Sequence, residues 1–230
     1  MNSIVRNSGA FYAYCFAYLI LEQKYVCKPI DGDDFTQCSV EDICQAREAG
    51  EDSLSFVYKV DKDYEYYLNN WYVEMDMMCT PITKISLMFT VYFIGNIVGG
   101  VFAVIPDRIG RKRSVIGGMG VSIMAQLTMI FFPSILIRSI SFFVMGLANL
   151  KNSQSYVWAS ESVSFQHRAN AFTIINVVDA LPTLITGLFY LLVSPDWFPI
   201  YTINLAVSFI AFFLAFLCPE SPRWLLYNGR

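Results

Sequence analysis

The chain predicts an all-α membrane protein, with six transmembrane helices and one long, disulfide-bearing extracellular loop after the first. Three observations carry this prediction. Of 230 residues, 55% are apolar and 15% charged, and mean hydropathy is +0.45. A soluble domain carries ~25% charged residues, so this chain has too little polar material to cover one. The apolar residues gather into uncharged runs long enough to cross a bilayer. An acidic segment between the first two runs holds four of the six cysteines. Disorder is excluded by 19 Phe, 14 Tyr and 4 Trp. A net charge of −3 and a pI near 5.2 exclude nucleic acid as a partner, which leaves the lipid bilayer as the first one.

Each element is justified by its charge-free length. Ile85–Ile105 is one such run. Ser114–Ile137 is 24 residues without a charge, divided by Pro133 and Ser134, so one span ends near Phe132 and the next begins near Ile135. That fourth span, about Ile135 to Trp158, contains Arg138 and Lys151; its neighbours require a return crossing. Ala169–Pro195 carries one charge, Asp179, and Trp197–Pro219 none. The first candidate, Asn7–Leu21, has 15 uncharged residues. At ~1.5 Å per residue it measures ~22 Å, short of a ~30 Å core. It reads as a short or clipped span, with a signal-peptide h-region as the alternative. Domain organisation follows: 1–21 first helix, 22–83 loop, 84–219 helices two to six, 220–230 a cytosolic segment.

Basic residues orient the chain. Arg108, Arg111, Lys112 and Arg113 follow the second span, and Arg168, Arg223 and Arg230 fall on the same side. Residues 22–83 hold 14 Asp/Glu against 5 Lys/Arg. The positive-inside rule puts both termini in the cytosol and the acidic loop outside. The acidic charge reads as a solvated surface, or as an attractor of cations toward the mouth. On the oxidising side, Cys27, Cys38, Cys44 and Cys79 read as two disulfides in any of three connectivities. A zinc site is the weaker reading, for the loop has no His and no C-x-x-C pair. No metal and no cofactor is expected. Disulfides favour the plasma membrane or a secretory-pathway membrane over an organelle.

Asp107-Arg108-Ile109-Gly110-Arg111-Lys112-Arg113 is a very short turn between antiparallel helices, where Gly110 permits a tight backbone. The D-R-x-G-R-K string resembles the loop signature G-x-x-x-D-R-x-G-R-[KR] of the major facilitator superfamily, with Ala103 in place of the first glycine. Glu161 to Arg168 resembles the family's E-x6-R element, and Pro219–Leu226 its P-E-S-P-R-[WF]-L-L segment. The cysteine-bearing loop, with Trp71–Cys79, resembles the organic cation/anion transporter branch. The resemblance runs from Gly9 to Arg230 and implies the N-terminal half of a major facilitator fold. It also implies a cytosolic gating network of Asp107, Arg108, Gly110, Arg111, Glu161, Arg168, Glu220 and Arg223. In that network Arg111 is expected to pair with Glu161, and Glu220 and Arg223 to join Arg168.

Charges inside a membrane are functional candidates by default. Lys151 and Asp179 each lie ~15–17 Å from their cytosolic anchors, near the midplane. Adjacent antiparallel helices would bring them together, either as a structural pair or as a substrate- or proton-linked site. Asn149, Asn152, Gln154, Tyr156 and Asn176 complete the substrate-path candidates. Gly95 and Gly99 form G-x-x-x-G, read as close helix packing. The chain shows no Gly-rich phosphate loop and no Ser/His/Asp arrangement, so no enzyme is expected.

The resemblance implies alternating-access transport of a small organic ion or solute, and that needs a second six-helix half, which this sequence does not repeat. Three readings stay open: a piece of a full transporter, a half-transporter that dimerises, and a structural subunit of a larger membrane complex that no longer transports.

Overall fold

The computed structural model describes residues 11–30, 32, 34–49 and 56–227. The start of the first expected span, residues 7–10, lies outside the described residues, as does Arg230. Residues 11–14 are helical and lead into α1 (Phe16–Leu19). The cysteine-bearing segment then forms β1 (Tyr25–Pro29), β2 (Thr36–Cys38), α2 (Val40–Glu48), β3 (Phe56–Val60) and α3 (Trp71–Glu74). The remaining helices are α4 (Ile82–Val101), α5 (Ile105–Ile109), α6 (Arg111–Phe131), α7 (Ile135–Ala148), α8 (Leu150–Ser162), α9 (Arg168–Leu192), α10 (Trp197–Leu217) and α11 (Pro222–Tyr227).

Among the described residues, four helical stretches are long and apolar enough to cross a membrane: Ile82–Ile109, Arg111–Phe131, Phe165–Leu192 and Trp197–Leu217. The chain is accordingly a multi-pass integral-membrane protein. The run expected as one span from Ile135 to Trp158 is two helices of 14 and 13 residues that meet at Asn149. Composition explains the difference. The first helix is apolar, whereas Leu150–Ser162 interleaves Lys, Asn, Gln, Glu and Ser with few apolar residues.

Close approach of α4 to α7 is built on glycine. A Cβ on Gly95 would stand 2.3 Å from the carbonyl oxygen of Phe143, and one on Gly146 2.2 Å from that of Tyr92. The two backbones therefore touch, the contact that small residues permit between membrane helices. Elsewhere the bundle is joined by side-chain hydrogen bonds. Asn204 and Ser208 on α10 donate to Gln126 on α6 at 3.3 and 3.2 Å.

The small sheet has strand order β2-β1-β3, antiparallel throughout. Of the three possible connectivities, the cysteines adopt Cys27–Cys38 and Cys44–Cys79. Arg47 on α2 reaches Asp76 at 2.7 Å, and this bond and charge hold the guanidinium pKa above its ordinary value. Burial, with the carboxylates of Glu22 and Asp76, pushes the Tyr72 phenol up to about 12.

The segment is fastened to the bundle by residues 68–74. Asn70 donates to the carbonyls of Tyr18 and Leu21, both at 2.9 Å, and so caps the first helix. Asn69 accepts from the Trp197 N–H at 3.2 Å and donates to Asp196 at 2.7 Å. Glu74 meets the fully buried Arg138 of α7 at 2.9 Å. The Arg138 guanidinium lies 4.1 Å over the Trp71 ring and 5.3 Å from that of Trp197. An arginine expected only as an awkward charge inside a span is thus the peg that joins α3, α7 and α10, held by a carboxylate and two ring faces.

Candidate functional site

Two groups of residues come together, one at the D-R-x-G-R-K turn and one on an open face of the bundle. At the turn, Gly110 has φ +108°. A Cβ there would stand 2.6 Å from Glu220 Oε2. Glu220 Oε1 accepts the Lys112 N–H at 2.8 Å and so caps the start of α6 with a negative charge. Arg111 is shared among three partners: Asp107 at 2.8 Å, Gln154 at 2.7 Å and Glu161 at 3.6 Å. Glu161 also accepts from Ser221. Trp224 Nε1 donates to the Asp107 carbonyl at 3.1 Å. Asp107, Arg111, Glu161 and Trp224, with Arg223 and Tyr227, line a cavity of about 450 Å³.

The structure places several expected members of this network differently. Arg168 turns to the Val163 carbonyl at 3.4 Å and to the Phe165 ring, away from Glu220. Glu220 is occupied by the α6 terminus instead, where the first N–H groups of a helix find no acceptor in its own ladder. Arg108 is exposed. Gln154, expected on the substrate path, serves Arg111.

On an open face of the bundle, a cavity of about 500 Å³ is lined by Asn96, Asn149 and Asn152 together with Tyr14, Phe89 and Phe93. Tyr156 also faces it and donates to Asn176 at 2.6 Å. A second cavity of about 380 Å³ holds Asn176, Asp179 and Thr183, and Tyr14 lines both. Of the seven expected path residues, Asn149, Asn152 and Tyr156 line the first cavity, and Asn176 and Asp179 the second.

Lys151 lines neither. It is buried against α6, where its ammonium donates to Ser122 at 2.7 Å. The expected meeting with Asp179 is therefore corrected. Gly118 makes room for the lysine, since a Cβ there would stand 2.9 Å from the Lys151 Cβ. The sequence reading missed Tyr14, Phe89, Phe93 and Asn96. Only Asn96 left a signal, as an amide among apolar residues beside Gly95.

The comparisons agree with this architecture. Residues 66–228 match the Major Facilitator Superfamily. Organic cation/carnitine transporter 5 of Arabidopsis thaliana is 28% identical over 162 residues, 68% of this chain and 32% of that one. Organic cation/carnitine transporter 2 of Homo sapiens is 24% identical over 169 residues, 72% of this chain and 30% of that one. The chain thus matches about a third of the length of these relatives. The partially occluded, inward-open xylose transporter XylE from E. coli superposes with a TM-score of 0.60 at 14% identity. That likeness covers 100% of this chain and 51% of the xylose transporter, and it speaks to the fold alone. The chain therefore belongs to the major facilitator superfamily, a family of transporters rather than enzymes, and is distantly related to organic cation/carnitine transporters.

Proposed function

We propose that this chain forms one six-helix body of an alternating-access transporter for small organic ions or solutes. The observation that carries the reading is the pair of cavities joined at Tyr14, one edged by amides and aromatic rings, the other by Asp179. Such a lining binds an organic ion through ring faces and fixed dipoles without a dedicated cofactor. Kinship to organic cation/carnitine transporters supports organic cations as the solute class. Coverage of about half of the xylose transporter supports a second body of similar size, from the same polypeptide or from a second copy. The broken α7–α8 pair is then the fourth span, and the first helix completes six. The Arg111 turn lies on the cytosolic side and holds one state of the cycle through contacts that break in the other.

Uptake of a labelled organic cation by proteoliposomes of the native protein tests the reading. Asp179→Ala is expected to abolish uptake and Tyr14→Ala to reduce it severely, while Val57→Ala, on the exposed sheet, leaves it unchanged. Uptake indifferent to both cavity variants would sink the proposal. No uptake together with stable co-purification of unrelated subunits would instead establish a structural subunit.

A further inference from the structure

Three asparagines on neighbouring helices form a single chain of amides. Asn96 on α4 donates from Nδ2 to the carbonyl of Tyr92 at 3.0 Å. Asn149, at the junction of α7 and α8, donates from Nδ2 to Asn96 Oδ1. Asn152, in the first turn of α8, donates from Nδ2 to Asn149 Oδ1.

The direction of this chain is fixed. A backbone carbonyl only accepts, so Asn96 must turn its NH₂ to Tyr92 and its oxygen to Asn149. Asn149 must then present its NH₂ to Asn96 and its oxygen to Asn152. Flipping one amide alone would set NH₂ against NH₂ or oxygen against oxygen. The chain can reverse only as a whole, and Tyr92 forbids that. What remains at the far end is an acceptor, Asn152 Oδ1, buried and without a hydrogen-bond partner among the described residues. All three asparagines line the 500 Å³ cavity.

We propose that Asn152 Oδ1 selects solutes by an N–H or O–H donor, so that the cavity discriminates against analogues whose donor hydrogen is replaced by methyl. The proposal rests on the transport reading of this cavity. The aligned amide dipoles end negative at Asn152, which strengthens the acceptor and favours a positively charged donor. Oδ1 is shielded from solvent in this conformation. The last side-chain torsion of asparagine is broad, and a modest rotation turns the oxygen to the cavity. A solute with a donor gains a hydrogen bond that its methylated analogue cannot make, worth roughly tenfold in affinity for one bond.

Matched pairs differing by one methyl group test this on the native protein in lipid nanodiscs. The amine pair is 2-phenylethyl-dimethylammonium and 2-phenylethyl-trimethylammonium; the neutral pair is 2-phenylethanol and its methyl ether. Binding is read by calorimetry. The donor-bearing member of at least one pair is expected to bind about tenfold more tightly. A preference in the amine pair alone identifies an ammonium donor, and one in both pairs a general N–H/O–H donor.

Asn152→Leu should bring the ratio to about one. Asn96→Leu, which cuts the chain from Tyr92 and lets the remaining amides turn over, should bring the ratio toward one while binding persists. A merely structural asparagine would change both affinities and leave their ratio alone. Equal binding within both pairs by the native protein would overturn the donor requirement and leave the transport cavity standing. So would a ratio that survives Asn96→Leu or Asn152→Leu. Absence of binding by all four compounds together with absence of uptake would overturn both readings.

Discussion

Gly110 is a residue whose identity is forced twice. Its φ of +108° lies where a side chain strains the backbone, and its missing Cβ is the space that Glu220 occupies. Glu220 uses that space to cap α6 through the Lys112 N–H. Gly110→Ala is therefore expected to cost about 1–3 kcal/mol from backbone strain alone and to displace Glu220 as well. Glu220→Gln keeps an acceptor at the helix start and loses only the charge, so it should cost less. Thermal unfolding of the two variants in one detergent checks the order. A Gly110→Ala protein as stable as the parent would show that the turn relaxes without strain. The G-R-K string made this turn legible in the sequence. Its partner was not, because Glu220 lies 110 residues further along the chain and only the fold brings it to the turn.

At the scale of elements, the decisive contact is between α4 and α7. Gly95 and Gly146 face each other across it, and a methyl group on either meets backbone oxygen. Backbone cannot yield as a flexible side chain does. Gly146→Ala is expected to destabilise the bundle by about 1–3 kcal/mol through overpacking. Gly117→Ala is the control, because a Cβ there meets nothing within 4 Å, and it should be neutral or slightly stabilising. Equal melting temperatures for the two variants would refute a close α4–α7 contact. The sequence disclosed Gly95 and Gly99 through their spacing, whereas Gly146 has no glycine at helical spacing on its own helix. The same limit applies to the cavity. Rise per residue assigns Lys151 a depth, but depth says nothing of rotation about the helix axis. Lys151 turns to α6, and three residues away Gln154 turns to Arg111. Asn149 and Asn152 stood out as amides inside a span. Phe89 and Phe93 did not, because an aromatic ring that lines a cavity has the same sequence signature as one that packs a core.

For the whole molecule, the cysteine-bearing segment works as a clasp rather than a cap. Residues 68–74 hold the end of the first helix through Asn70, the start of α7 through Glu74 and Arg138, and the start of α10 through Asn69. The two disulfides do not contribute equally to that clasp. Cys27–Cys38 joins strands already paired in the sheet, with 11 residues of separation. Cys44–Cys79 spans 35 and ties α2 to the turn that leads into α4. In the chain-entropy account, the longer closure stabilises the fold by about 1 kcal/mol more than the shorter. Position adds to this, because only the second bridge lies between the sheet and the bundle. Replacing Cys44 and Cys79 together by Ser should therefore lower the melting temperature further than replacing Cys27 and Cys38 together. Tryptophan fluorescence at a fixed scan rate reads it directly, since Trp71 and Trp197 flank Arg138 within the clasp. The opposite order would mean that the sheet, and not its tie to the bundle, limits the stability of the segment. If the expected order holds, loss of Cys44–Cys79 should also expose Trp71 before the bundle melts, because α3 is then held by the contacts of residues 68–74 alone.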